Sequence, residues 1–275
     1  MEAQEVKRLK TMAHNMRLHS LDMALAAGAE GAHLGGGLSS IEILAVLYGD
    51  ILRIQPENPE WEERDRFILS KGHGALAYYA ALMEVGIVSP EELQSYKSDD
   101  TQLYGHPSMN MKRGIEFSSG SLGQGLSLGV GSAMALKWKK QLAPKVYVVL
   151  GDGECDEGSI WEAAASAAHY HLDNLVVIVD KNGLQYDGPT SEVMDMGDLA
   201  QKFACFGFDT VSVDGHDVEA LHQALSRKVD RPAAVIANTV KGKGVSFMEN
   251  NPLWHHAKLT QAQYEQAVAE QEEQA

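Results

Sequence analysis

Asp152 and Asn182 are the two residues with the most chemistry to offer. Asp152 stands in Leu150-Gly151-Asp152-Gly153-Glu154, directly after the apolar run 145–150 and ahead of a helical pattern. Asn182 follows thirty positions later, just beyond the apolar run 175–180. Such runs read as parallel strands covered on both faces, and ligands bind at the carboxyl ends of such strands. Glycines there let the main chain approach an oxyanion, and the next helix offers free N–H groups and a positive dipole end. A carboxylate oxygen, an amide oxygen and a nearby main-chain carbonyl make three hard ligands. Two phosphate oxygens and a water complete the octahedron that Mg²⁺ demands. Gly-Asp-Gly alone is as well explained as a turn, and Asn182 alone as a cap. Together, at the tips of successive strands, they favour a metal–diphosphate site. A dinucleotide fingerprint fits less well, because G-x-G-x-x-G counted from Gly151 meets Asp156 where the third glycine belongs.

Four histidines come next. His33 lies in Gly31-Ala32-His33-Leu34-Gly35, His73 in Lys71-Gly72-His73-Gly74, His106 in Tyr104-Gly105-His106-Pro107 and His255 in Trp254-His255-His256. Imidazoles titrate near neutral pH and suit proton transfer. Any one of them reads as a surface or turn histidine. Four at element boundaries beside a metal motif point to a site.

The elements that must hold these residues are legible from periodicity. Helical spacing runs over 6–27. Ser39 and Glu42 form the S-x-x-E pattern of a capping box, which predicts a helix from there to about Leu52. Residues 66–69 read as a brief buried strand, Ser89-Pro90 as a helix start, and 120–140 as a long helix entered through a glycine-rich turn. An Ala-rich helix over 160–170 joins the two central strands. A strand at 210–213, a helix at 218–225 and a strand at 233–239 follow. Residues 241–258 form a long irregular segment of the kind that is often functional. The Gln-rich last residues read as a solvated helix end. Alternating strands and helices predict an α/β fold, a doubly wound parallel sheet flanked by helices, in one domain over 1–275.

Composition narrows the partners. Lys and Arg total 23 against 38 Asp and Glu, a formal net charge of −15. Such a surface repels nucleic acid and the anionic membrane face. Two cysteines make no disulfide framework, no run approaches the roughly 20 apolar residues of a membrane span, and the first residues lack the apolar core of a signal peptide. A cytoplasmic protein is expected.

The G-D-G motif with its later Asn resembles that of thiamine-diphosphate enzymes. The whole constellation resembles the N-terminal, diphosphate-binding half of transketolases. Gly31–Gly35 is similar to that family's S-G-H-P-G, residues 65–73 to D-R-F-x-L-S-x-G-H, residues 119–125 to T-G-x-L-G-Q-G, and residues 151–158 to G-D-G-x-x-x-E-G. The resemblance implies that Asp152, Asn182 and the main-chain oxygen of Leu184 hold Mg²⁺, with Gly153 and Glu154 against the diphosphate. It implies that His73 and His255 contact thiamine diphosphate, with Gly120, Ser121 and Leu122 lining its ring pocket. His33, His106 and His255 would face the substrate, and Glu157 and Glu162 a subunit contact. Lys241 and Lys243 could assist at the diphosphate. Leu34 and His256 depart from the family pattern, and His256 reads as a spacer.

The activity implied is transfer of a two-carbon glycolaldehyde unit from a ketose phosphate to an aldose. The family's second, pyrimidine-binding domain with its activating glutamate has no counterpart here. A split enzyme is therefore expected, its partner being a C-terminal transketolase subunit in an α2β2 assembly. The alternatives are a 2-oxo acid dehydrogenase or deoxyxylulose-phosphate-synthase-like subunit, and a non-catalytic cofactor-binding subunit.

Overall fold

Five short apolar segments form the centre of the molecule: β1 (Arg66–Leu69), β2 (Val146–Gly151), β3 (Leu175–Lys181), β4 (Asp209–Asp214) and β5 (Ala233–Asn238). The computed structural model describes residues 1–140 and 143–274. The strands make one sheet, ordered β1-β2-β3-β5-β4, and every pairing is parallel. All carboxyl ends therefore emerge along one edge. Side chains alternate across the pleat: Tyr147 and Val149 enter one apolar layer, Val146, Val148 and Leu150 the other. Helices cover both faces, as the doubly wound expectation requires.

Helix Ala3–Ala26 packs on the first layer beside Ala75–Glu84, and helices Gly125–Met134 and Gly158–His169 on the second. Ser89 forms the capping box its sequence announces, accepting from Glu92 N–H at 3.2 Å while its own N–H donates to Glu92 at 3.0 Å. Among the described residues no helix is long and apolar enough to cross a membrane.

Three expectations are corrected. Ser39 does not cap a helix. It already has helical backbone at the end of Leu34–Leu38, and the helix Ile41–Val46 starts without a side-chain cap. Glu42 instead meets Arg17 at 2.6 Å and His216 at 2.8 Å. The long helix starts at Gly125, not residue 120, because Gly120 (φ 152°) and Gly123 (φ 82°) lie outside helical space. The terminal helix Gln261–Gln274 is not wholly solvated: Ala267 and Gln271 are buried, and Gln271 donates to the Gly244 carbonyl.

One surface cluster makes stability pH-dependent. His19, on the first helix, lies 3.3 Å from Glu84 and 3.9 Å from Asp22. Asp22, then Glu84, raise its pKa to about 9. Its contribution is present in full below the ordinary pKa of 6.5 and is lost as pH rises through about 9. A melting-temperature series from about pH 6 to about pH 9.5 is expected to fall more steeply for the unmodified chain than for His19→Asn. Parallel curves would remove His19 from the account.

Candidate functional site

Register places the metal motif. Gly151 pairs with Asp180, so Asp152 and Asn182 leave adjacent strands side by side. The Asp152 carboxylate accepts the Gly153 N–H at 3.0 Å and, across the gap, the Gly183 N–H at 2.6 Å. Asn182 Oδ1 accepts the Leu184 N–H at 3.1 Å. The Leu184 carbonyl accepts from the Lys241 ammonium at 2.8 Å. Burial, reinforced by the charge of Asp180, pushes the Asp152 carboxyl up to about 6 despite its two N–H partners. Burial, with Lys71 nearby, pulls Lys241 down to about 8.

This donor set fits a hard divalent cation. It joins a buried carboxylate, an amide and a carbonyl that already attracts an ammonium. Among the described residues no group of three or more His, Cys, Asp or Glu is arranged for a metal, so the fit rests on the mixed set.

Five imidazoles gather beside it. His73 leaves the turn after β1, His33 begins the helix Leu34–Leu38, and His106, His255 and His256 come from loops. Ring centroids of His33 lie 5.9 Å from His73, 5.1 Å from His106, 5.6 Å from His255 and 4.5 Å from His256. His73 and His255 stack at 5.2 Å. Gly36 permits this, because a Cβ there would stand 2.7 Å from the His73 ring. Burial is the leading cause that lowers every one of these pKa values, and neighbouring imidazoles and lysines add to it. His33 falls to about 3 and His255 to about 4. All five are neutral at pH 7. His255 Nδ1 sits 3.0 Å from the Lys241 ammonium, which can only donate, so its ring proton is on Nε2.

Gly120 and Ser121 line a cavity of about 260 Å³ with Ser70, Ser119, Gln124 and Gly125. Leu122 lies half-buried in the same turn. Gly153 faces Gln185, where a Cβ would approach to 2.9 Å. The Glu154 carboxylate turns inward, accepting from Ser70, from Gly123 N–H at 2.8 Å and from Gly151 N–H at 3.0 Å. It thus ties the ring-pocket turn to β1 and β2. Glu157 and Glu162 lie at the start of helix Gly158–His169 and within it. A larger cavity of about 460 Å³, lined by His19, Met23 and Leu93 among others, contains none of the site residues.

Sequence reading missed the ion pair beneath the site. Lys71 and Asp180 have fully buried side chains and pair directly. Asp180 also accepts from Ser39 at 2.6 Å, Ser40 at 3.1 Å and Thr239. Burial opposes its charge, but Lys71 and the hydroxyls outweigh that and hold the carboxyl below its ordinary range. An acid so committed cannot serve a ribose, which removes the dinucleotide reading. The available signal was a lone acid closing an otherwise apolar strand.

A parallel sheet with a glycine turn, hard oxygens and clustered imidazoles at its carboxyl edge defines a domain for a diphosphate-bearing cofactor. The family described as transketolase, thiamine diphosphate binding domain, matches residues 9–271, and the chain belongs to it. Over 270 residues it is 41% identical to one of the subunits of the apulose-4-phosphate transketolase of Phocaeicola vulgatus, covering 97% of this chain and 94% of that one. It is 43% identical over 243 residues to the 6-deoxy-6-sulfo-D-fructose transketolase subunit SqwG of Clostridium sp., covering 87% and 88%. The crystal structure of Campylobacter jejuni transketolase superposes with a TM-score of 0.90 at 30% identity, covering 99% of this chain and 43% of that one. The 2-oxo acid dehydrogenase and deoxyxylulose-phosphate-synthase alternatives are not favoured.

Proposed function

We propose that this chain is the cofactor-binding, N-terminal subunit of a cytoplasmic split transketolase, folded as one domain and completed by a C-terminal subunit in an α2β2 assembly. The reaction is transfer of a two-carbon unit from a ketose phosphate to an aldose acceptor. The carrying observation is the convergence of neutral imidazoles on the same sheet edge as Asp152, Asn182 and Leu184.

Thiamine diphosphate, when bound with Mg²⁺, supplies the nucleophilic carbon and the electron sink. Asp152, Asn182 and the Leu184 carbonyl would hold the metal. The Lys241 ammonium, next to that carbonyl, is placed to neutralise diphosphate charge once the metal takes the oxygen. Gly153 gives the diphosphate access to the main chain, while Glu154 acts from behind by fixing the turn. Gly120, Ser121 and Leu122 would line the ring pocket, with His73 towards the diphosphate. His33, His106 and His255 are neutral, so His33 and His106 can each accept a proton or a hydrogen bond from sugar hydroxyls, while His255, whose Nδ1 is taken by Lys241, offers its Nε2–H as a donor.

Reconstitution tests this. The chain mixed with its partner subunit, thiamine diphosphate and Mg²⁺ is expected to transfer glycolaldehyde units from a ketose phosphate, while neither polypeptide does so by itself. Full turnover by this chain alone, or a reconstituted complex that consumes only pyruvate, would refute the proposal.

A further inference from the structure

Lys241 is almost wholly buried, so the backbone that carries it decides where its ammonium can lie. That ammonium reaches Leu184 O at 2.8 Å and His255 Nδ1 at 3.0 Å. The chain on either side is held at each step. Thr239, directly after β5, donates its N–H to Lys181 O at 3.0 Å and its hydroxyl to Asp180. Gly242 N–H donates to Gly35 O at 3.0 Å, and Lys243 O accepts from Arg17 Nε at 3.1 Å. Val240 has left the sheet, and its N–H donates to a side chain, His216 Nε2, at 2.8 Å.

A main-chain N–H can only donate, so the His216 ring proton stands on Nδ1. That nitrogen lies 2.8 Å from Glu42 Oε2, and the other oxygen of Glu42 accepts from Arg17 at 2.6 Å. A carboxylate on one ring nitrogen settles which tautomer the other presents. Arg17 and Glu42 are buried, on the first helix and on helix Ile41–Val46, and His216 lies in the turn after β4. Gly215 lets that turn close on the end of β5: a Cβ there would stand 2.4 Å from Thr239 Cγ2, and its N–H donates to Asn238 O at 2.8 Å. Because Arg17 also holds Lys243, the three side chains clamp the chain on both sides of Lys241.

We propose that His216, its tautomer set by Glu42, is a positioning residue: it holds Val240 so that the Lys241 ammonium meets the cofactor diphosphate. The inference rests on the thiamine-diphosphate reading for what Lys241 meets. It gives the Arg17–Glu42–His216 chain, which lies behind the site, a role in cofactor binding.

Two substitutions separate the contacts of the ring. In His216→Gln the amide oxygen can stand in for Nε2 and accept from Val240. In His216→Asn the shorter amide can stand in for Nδ1 and donate to Glu42, but Val240 loses its acceptor. In the reconstituted complex, calorimetric titration with thiamine diphosphate and Mg²⁺ is expected to show about 10–100-fold weaker binding for His216→Asn, and His216→Gln is expected to recover most of the loss. Lys241→Met is expected to weaken binding by itself. Adding His216→Asn to it is expected to cost little more, because the group being positioned is gone. In the free full chain, the Val240 amide is expected to exchange its hydrogen faster in His216→Asn and near the unmodified rate in His216→Gln. Unchanged binding in His216→Asn, or equal losses in both substitutions, overturns the proposal. Losses that simply add in the Lys241→Met background overturn it too, since they mark a merely structural residue. An unmodified complex that binds no thiamine diphosphate, while Val240 exchange still separates the two variants, refutes the cofactor reading and leaves only a clamp on Val240.

Discussion

Lys71→Met is expected to cost the folded chain about 3–5 kcal/mol, because it leaves the Asp180 carboxylate charged, buried and without its cation. Both side chains are 0% exposed. Met keeps the length and apolar stem of lysine, so packing is nearly preserved and the loss reports the charge. Lys71 also donates to Gly36 O at 2.8 Å and Ser40 Oγ at 3.0 Å, so its removal unties the segment that carries His33 from the tip of β3. Asp180→Asn alone leaves the ammonium without its counter-charge. The double variant removes both charges and is expected to be more stable than the sum of the single losses predicts. Urea unfolding of all four proteins, with unchanged slopes, gives the coupling. Single losses below about 1 kcal/mol that simply add would show that the pair is not a unit. Replacing either group is also expected to weaken cofactor binding, since Thr239 after β5 and Ser39 hang on the same carboxylate.

What was readable in the sequence follows a physical divide. Strand positions were legible to within a residue or two, because runs such as 145–150 and 175–180 are apolar on both faces and only a covered parallel sheet accommodates them. Asp152 and Asn182 were legible as neighbours because a chemical motif and two strand ends coincide. Two S-x-x-E patterns show the limit. Ser89 caps, because the chain ahead of it is extended; Ser39 does not, because Leu34–Leu38 already leads into it as a helix. The partner that Ser39 takes instead, Asp180, lies 141 residues away, beyond any local pattern. Helix Ala75–Glu84 was not read because most of it is buried and apolar all round, which erases periodicity. The terminal helix looked solvated because its buried contacts are made by a small residue, Ala267, and an amide, Gln271, neither of which signals a core.

Asp152→Asn is expected to reduce Mg²⁺-dependent thiamine diphosphate binding by the order of 10²-fold or more, since losing even an outer partner of a metal site commonly costs about 10–100-fold. The amide removes the only charged ligand of the set and sets an NH₂ against one of two main-chain donors, Gly153 or Gly183, that the carboxylate now satisfies. Cofactor-free stability is expected to change far less, because two effects oppose. The variant loses a hydrogen bond to a charged acceptor, worth about 1.5–3 kcal/mol. It also sheds the penalty of burying a charge, visible in the carboxyl being pushed up to about 6. The sign of the pH dependence separates these effects. Between the ordinary carboxyl range and about pH 6 the folded state holds a proton that the unfolded state has lost, so stability of the unmodified chain declines as pH rises through that window. Asn has no such decline, so the variant gains on the unmodified chain from about pH 4 to about pH 7. Calorimetric titration of the reconstituted complex with thiamine diphosphate and Mg²⁺, set beside unfolding of the free chain at both pH values, reads the two quantities independently. Asp187→Asn, exposed on the loop after β3 that carries Asn182 and Leu184, is the charge control and is expected to bind as the unmodified protein does. Undiminished binding by Asp152→Asn would remove the carboxylate from the metal set, and with it the reason for placing the cofactor between β2 and β3.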